Sequence, residues 1–338
     1  VAPGASAVAT IPVPKLDRPG PSPDNADKKP MMRQFNAPVV FNQVVSQGWK
    51  LLAFSWPEGL TPPIPGQFFT FNPQGLQAGE AGLLRRPLAF AFFGRGLAFA
   101  LYQIRGKATQ ALAAFAEGGS LDLIAPLGNS FPQPLADEQV FLAGGGIGIG
   151  PLLYLRSSFH GVEAAGAGVS ILPSRTGKLF LGFRSASQIP SFTLAAERWE
   201  KQNQEANGAA RHPKPYRQPV LAGLADLQLC LDQAFIATDD GSKGFKGTVV
   251  DALLQDSART APIATATRIY ACGPAPMLSA LDALALERGS PAHLSAEQWM
   301  ACGVGACQGC VLPARAGGYL RACADGPVFP QGAILWKA

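Results

Sequence analysis

The chain has 338 residues, 47% of them hydrophobic and 15% charged, with a formal net charge of +5. That length suits two or three domains, and the low charge suggests apolar surface given over to cofactors or a partner. The basic clusters of a nucleic-acid binder are missing, no apolar run approaches a membrane span, and residues 1–34 lack the basic start and apolar block of a secretory signal.

Residues 1–34 carry Pro3, Pro12, Pro14, Pro19, Pro21, Pro23 and Pro30 and no core-forming periodicity. They read as an extended arm, either a free tail or a segment that wraps a partner. Residues 35–136 read as antiparallel β structure. VVFNQVVSQGWKLLAFSW, GQFFTFNP, RPLAFAFF, GLAFALYQI and GSLDLIAP are short β-rich runs punctuated by Gly, Pro and Asn, as in a barrel. From 137 to 290 the pattern changes. VFLAGGGIGIGPLLYL reads strand, glycine turn, helix, and KLFLGFRS, QAFIATDD and RIYACGPAPMLSALDALAL continue it, so βαβ units and a parallel sheet are expected. The charged, proline-bearing stretch 191–219 reads as a surface insertion, with a helix running into a loop as one form of it. Residues 291–338 are too few for an independent cluster domain and are expected to lean on the domain before them or on another chain.

Several turns in these halves carry chemistry. Gly145, Gly146 and Gly148 close the first strand of the α/β half, where glycine lets a backbone approach a pyrophosphate at a helix start. A tight turn alone would also use glycine. Cys272, Gly273 and Pro274 follow the strand RIYA at the carboxyl end where open sheets bind ligands, although a cysteine there can equally be a small buried hydrophobe. Asp240 ends another strand, able to accept ribose hydroxyls or to cap a turn. In the barrel half, Arg85 and Arg86 beside a strand suit a phosphate fork or a plain surface role. Leu101, Tyr102 and Gln103 lie on a strand, and Gly106-Lys107-Ala108-Thr109 opens a helix whose amide and hydroxyl donors could hold phosphate.

Near the C-terminus Cys302, Cys307, Cys310 and Cys323 form a C-x4-C-x2-C-x12-C array. Four thiolates with that opening suit a [2Fe–2S] cluster, two ligands per iron. Gly303, Gly305 and Gly309 let the loop fold tightly and aim N–H groups at sulfur. Structural zinc is the alternative, but it favours two C-x2-C knuckles across a long gap. Cys230 and Cys272 sit far apart in sequence, and unpaired ligand cysteines fit a reducing, cytoplasmic setting.

The order of these pieces resembles the ferredoxin–NADP reductase superfamily and, more narrowly, the electron-transfer subunits of dihydroorotate dehydrogenase B. RRPLA, YQIRGKAT, APLGNSF, GGGIGIGPLL, LFLGFRS, ATDDGSKGFKGTVVDALL, YACGPAPML and ACGVGACQGC carry the likeness, over residues 37–190 and 220–338. The resemblance implies an FAD-binding barrel lined by Arg86, Pro87, Leu88, Ala89, Leu101, Tyr102, Gln103, Ala108 and Thr109. It also implies NAD over the glycine turns, Asp240 and Cys272, and a [2Fe–2S] cluster on the four cysteines. It implies an FMN-containing dihydroorotate dehydrogenase catalytic subunit as partner, in a heterotetramer of two plus two. No catalytic acid, base or triad is expected in this chain. Three departures stand out. Ala89 replaces the family's serine, so a hydroxyl near the flavin is missing, and Ala108 replaces a glycine. The arm and 191–219 have no family counterpart. Related chains differ in ways the array can test: oxygenase reductases have a much wider gap before the fourth cysteine, and small subunits of bifurcating or sulfide-type reductases often begin with Asp where Cys302 stands. A zinc-bearing interaction module on a degenerate reductase fold is the non-enzymatic alternative.

Overall fold

The computed structural model describes residues 32–73, 84–135, 137–159, 177–205, 214–259, 263 and 266–336. The proline-rich arm expected at 1–34 and the middle of 191–219 therefore fall almost wholly outside the described residues.

The first half builds one seven-stranded antiparallel sheet from β1 (Arg33–Ser46), β2 (Trp49–Ser55), β3 (Phe68–Phe71), β4 (Arg86–Ala89), β5 (Phe92–Gly94), β6 (Leu97–Gln103) and β7 (Ser120–Leu127). Strand order is β4-β3-β7-β1-β2-β6-β5. The two ends of that order are consecutive in the chain: β4 pairs with β3, and β5 pairs with β6. Between them Phe90 N–H bonds the Gln67 carbonyl at 3.3 Å and Ala91 N–H bonds the Phe99 carbonyl at 2.7 Å. One continuous stretch thus ties both edges together and closes a barrel, which leaves no open edge. Tight hairpins make the pairing local. Arg95 and Gly96 both have positive φ, 53° and 74°, the signature of the mirror-image turn that matches strand twist. Aromatic rings fill the interior, with Phe69 lying 5.0 Å from Phe54 and 5.1 Å from Phe90 between centroids. Helix α1 (Lys107–Ala114) plugs one end, burying Ala108, Ala111 and Leu112.

The second half is a parallel sheet of β8 (Gln139–Gly145), β9 (Lys178–Phe183), β10 (Phe235–Thr238), β11 (Phe245–Lys246), β12 (Thr267–Cys272) and β13 (Ala292–Ser295). Its strands are near-continuous apolar runs because helices cover both faces. These are α2 (Ile149–Phe159), α3 (Phe192–Glu205), α4 (Arg217–Asp232), α5 (Val249–Arg259) and α6 (Ala275–Arg288). The cysteine-bearing segment adds a hairpin of β14 (Val311–Pro313) and β15 (Tyr319–Arg321), then β16 (Val328–Pro330), which pairs antiparallel with β13. The full order is β11-β10-β9-β8-β12-β13-β16. Strand succession reverses between β8 and β12, making that the switch point of the sheet.

The start of the stretch 191–219 is helix α3, and it packs inward: Phe192, Ala195 and Trp199 are buried. Trp199 packs 5.7 Å from Phe41 of the barrel, and its indole N–H donates to Glu117 at 3.0 Å. The aromatic and alanine spacing of an amphipathic helix was present, but charge at the intervening positions masked it. Residues 291–338 supply two strands of the α/β sheet, β13 and β16. Among the described residues no helix is long and apolar enough to cross a membrane.

Candidate functional site

The four cysteines gather in one segment of the fold. Cys310 Sγ lies 3.2 Å from Cys323 Sγ, and Cys302 Sγ accepts from the Cys307 backbone N–H at 3.5 Å. A two-iron cluster takes two sulfurs at each iron. The close Cys310–Cys323 pair, with Cys307 bonded to Cys302 through its N–H, fits that arrangement. Backbone N–H groups surround the sulfurs: Val304 and Cys307 to Cys302 at 3.4 and 3.5 Å, Gly305 to Cys323 at 3.1 Å, Gly309 to Cys307 at 3.4 Å and Cys323 to Cys310 at 3.4 Å. Burial opposes the thiolate of Cys302, yet these N–H groups outweigh it and bring its pKa down to about 6. Burial and the neighbouring Cys310 push Cys323 up to about 12. The cradle is thus prepared for negative charge at its exposed side.

The loop rests on the barrel of the same chain. A Cβ on Gly303 would lie 2.9 Å from Cγ2 of Thr70, on β3. Thr70 pairs across the sheet with Pro87 of β4, so the ligand loop rests on the strand next to the one that carries Arg86–Ala89. Asn129, in the turn after β7, fastens the other side. Its amide donates to the carbonyls of Val328 at 2.8 Å and Asp325 at 3.2 Å, and its oxygen accepts from Val328 N–H at 2.9 Å.

In the barrel the expected flavin residues divide by role. Arg86, Pro87, Leu88 and Ala89 form β4 and are all half-buried. Arg85 is committed elsewhere, since its guanidinium grips Asp122 at 3.0 and 3.1 Å. Among the described residues Arg86 makes only backbone bonds, the shorter to Leu84 at 2.9 Å, a pattern that suits a fork turned to a ligand. Leu101 is buried and faces the start of α2. Tyr102 is buried within the barrel, its hydroxyl donating to Asn42 at 2.7 Å, so only its backbone remains for a flavin. Gln103 accepts from Arg105 at 2.7 Å. Ala108 belongs to the barrel core. Thr109 turns its hydroxyl back on the helix start, accepting from Arg105 and Gly106 N–H at 2.9 and 3.1 Å. Backbone donors of the first turn, not the Thr109 hydroxyl, are what this helix offers an anion.

At the switch point the two glycine turns meet. A Cβ on Gly148 would lie 2.5 Å from the Cys272 carbonyl oxygen, one on Gly145 would meet Met277 and Pro274 at 2.7 and 3.0 Å, and one on Gly273 would meet Met277 at 2.6 Å and Gly145 N at 3.0 Å. Gly146, with φ of +54°, alone faces open space. Cys272 is buried, and burial with the nearby Glu297 raises its thiol to about 12, so it stays neutral. Asp240 stands at the same carboxyl edge but two strands away from β8. It accepts from Ser242 N–H and hydroxyl at 2.9 and 2.6 Å, which lowers its pKa.

Glu297, two residues past β13, was not singled out in the sequence. Its carboxyl is hemmed in enough for burial to raise its pKa, while Arg105 of the barrel pulls the other way. The residue nevertheless keeps exposed surface. Its place just beyond a strand's carboxyl end was the available signal.

Known proteins match this layout. Residues 297–335 match the iron–sulfur cluster binding domain of dihydroorotate dehydrogenase B. The dihydroorotate dehydrogenase B (NAD(+)) electron transfer subunit of Geobacillus thermodenitrificans is 33% identical over 279 residues, 80% of this chain and 86% of that protein. The chain belongs to this family. The same subunit from Caldanaerobacter subterraneus is 30% identical over 311 residues, spanning 90% of this chain and all of the relative. Among solved structures, the NADH-dependent reduced ferredoxin–NADP oxidoreductase superposes with a TM-score of 0.62 at 22% identity, covering 89% of this chain and 90% of its own. A cytochrome P450 reductase from Amycolatopsis gives 0.53 at 19% identity, over 78% and 69%. At those identities the two structures share the fold. For a member of the electron-transfer subunit family, the barrel, the α/β sheet and the cysteine cradle are the expected parts, and all three are present in one packed unit.

Proposed function

We infer that this chain is an electron-transfer subunit that carries FAD and a [2Fe–2S] cluster and delivers electrons from dihydroorotate oxidation to NAD+. The observation that carries this reading is the contact of the ligand loop with the barrel, Gly303 against Thr70 and hence beside β4. When bound, FAD exchanges a hydride with NAD and single electrons with a [2Fe–2S] cluster. The chain's own residues bind and orient. Cys302 and Cys307 would hold one iron and Cys310 and Cys323 the other. Arg86 and the first turn of α1 would take the phosphates of FAD, with the backbone of Leu101–Gln103 beside its ring. Gly146 leaves room for a dinucleotide at the switch point, Cys272 remains a neutral thiol under it, and Asp240 offers a carboxylate toward the far end of the nucleotide. No residue needs to act as a general base.

The catalytic partner would be an FMN-containing dihydroorotate dehydrogenase subunit, two of each chain forming a cytoplasmic heterotetramer. Cys307 is the exposed ligand, and Trp299, three residues before Cys302, is 84% exposed. An apolar ring of that kind beside an exposed ligand suits a docked partner. Co-expression of the two subunits tests the reading. The complex should reduce NAD+ with dihydroorotate, and Cys307→Ala should abolish turnover while FAD stays bound. Unchanged turnover in that variant sinks the proposal.

A further inference from the structure

One ion pair in the cysteine segment has a geometry that folding alone does not account for. Arg321, at the end of β15, points its guanidinium at Asp325: Nη2 to Oδ1 at 2.9 Å and Nε to Oδ2 at 3.1 Å. The same carboxylate accepts from the Arg321 backbone N–H at 2.8 Å, and Asp325 N–H returns a bond to the Arg321 carbonyl at 2.8 Å. The turn between them holds Cys323. Arg321 has one further nitrogen, Nη1, which donates to the Gly305 carbonyl at 3.2 Å. The N–H of Gly305 itself donates to Cys323 Sγ at 3.1 Å, the shortest of the backbone contacts to sulfur described above. Gly305 has φ of +84°, and a Cβ there would lie 2.8 Å from that of Ala324. The Gly305 residue is therefore held at both ends, its carbonyl by Arg321 and its N–H by the ligand sulfur.

An ion pair with side chains 38% and 34% exposed adds little to stability. Its position relative to the sulfur is what distinguishes it. Reducing a cluster adds one negative charge. Hydrogen bonds to a ligand sulfur and a nearby cation both favour the reduced form, so both raise the reduction potential.

We propose that Arg321, held by Asp325, is a positioning residue for the cluster: it fixes the Gly305 N–H on the Cys323 sulfur and keeps the cluster's reduction potential higher than the four cysteines alone would set it. This rests on the [2Fe–2S] reading. The acting groups are the guanidinium and one backbone N–H, and the effect concerns the driving force for electron entry, not the contact with substrate.

The test is potentiometric titration of the purified, cofactor-loaded complex, following the reduced cluster by electron paramagnetic resonance. Iron, sulfide and FAD contents are measured on each sample. In Arg321→Leu and Asp325→Asn the contents should match the parent and the FAD potential should stay in place; the cluster potential should move to more negative values in Arg321→Leu, and by less in Asp325→Asn, where losing an anion beside the cluster opposes losing the positioned N–H. Arg321→Lys, which keeps the charge but loses the fork, should shift by less than Arg321→Leu. An unchanged cluster potential and spectrum in fully loaded Arg321→Leu and Asp325→Asn overturns the proposal. Loss of the cluster from both variants also overturns it, because the pair would then serve assembly. A parent complex with no iron–sulfur signal would instead refute the cluster reading itself.

Discussion

Gly303 and Gly305 of the ligand loop have φ of +72° and +84°, where side chains are strained. Gly145, Gly148 and Gly273 at the switch point have ordinary φ, yet a Cβ on any of them would lie within 3.0 Å of another atom. The first group is glycine because the chain must turn sharply to aim N–H groups at sulfur. The second is glycine chiefly because two turns from different strands press together. Gly-rich sequence therefore marks a ligand cradle in one region and a packing contact in the other. Of the switch-point glycines, Gly146 alone pairs a positive φ with open space, and it is the one best read as facing a nucleotide.

The comparison can be broken by substitution. Gly148→Ala sets a methyl against the Cys272 carbonyl at 2.5 Å, backbone that cannot swing away. A loss of about 3 kcal/mol is expected, as for overpacked core sites. Urea unfolding would measure it, and iron content per folded molecule should not change. If stability is unaffected, the packing account of this glycine is wrong.

Acid tests the strand that joins the two regions. His293 on β13 has its pKa lowered from 6.5 to about 4, by burial first and then by Arg268, with Glu138 opposing. Between those values the unfolded chain binds a proton that the folded chain does not. Stability is therefore full above pH 6.5 and falls as pH drops toward 4, by about 2 to 3 kcal/mol. Urea midpoints at several pH values should show this slope flattened in His293→Gln; an equal slope in both proteins refutes the assignment.

The smallest effect is expected at Gly303. Alanine there keeps a positive φ and pushes on the Thr70 methyl, a side chain that can yield, so about 1 to 2 kcal/mol is the expected cost. The informative readout is kinetic. Flavin reduction through the cluster should slow in Gly303→Ala while Gly148→Ala, once folded, keeps its rate. A faster or unchanged rate would separate the loop contact from electron passage.

Much of this was written in the chain. The cysteine spacing marked the four cysteines that the fold gathers, and the strand–turn–helix grammar marked β8 and β12 because hydrophobic runs and glycine turns are local features. Other assignments needed neighbours that sequence does not reveal. Arg85 and Arg86 look interchangeable in RRPLA, yet Asp122 takes one and leaves the other. Thr109 reads as a phosphate donor until its hydroxyl is seen closing its own helix start. The Tyr102 hydroxyl reads as a flavin contact until Asn42 claims it, leaving the backbone. Charge at the exposed positions of α3 hid Trp199, and Glu297 matters only because Arg105 and Cys272 converge on it.

By itself the sequence determined which residues can ligate iron, where the barrel gives way to α/β structure, and which turns can approach a phosphate, because spacing and periodicity act over a few residues. The tertiary structure alone decided that the Cys310 and Cys323 sulfurs meet, that the ligand loop leans on Thr70 of this chain's own barrel, and that Arg321 reaches Gly305. Those facts join residues far apart in the chain, and only packing brings them within hydrogen-bond or van der Waals reach.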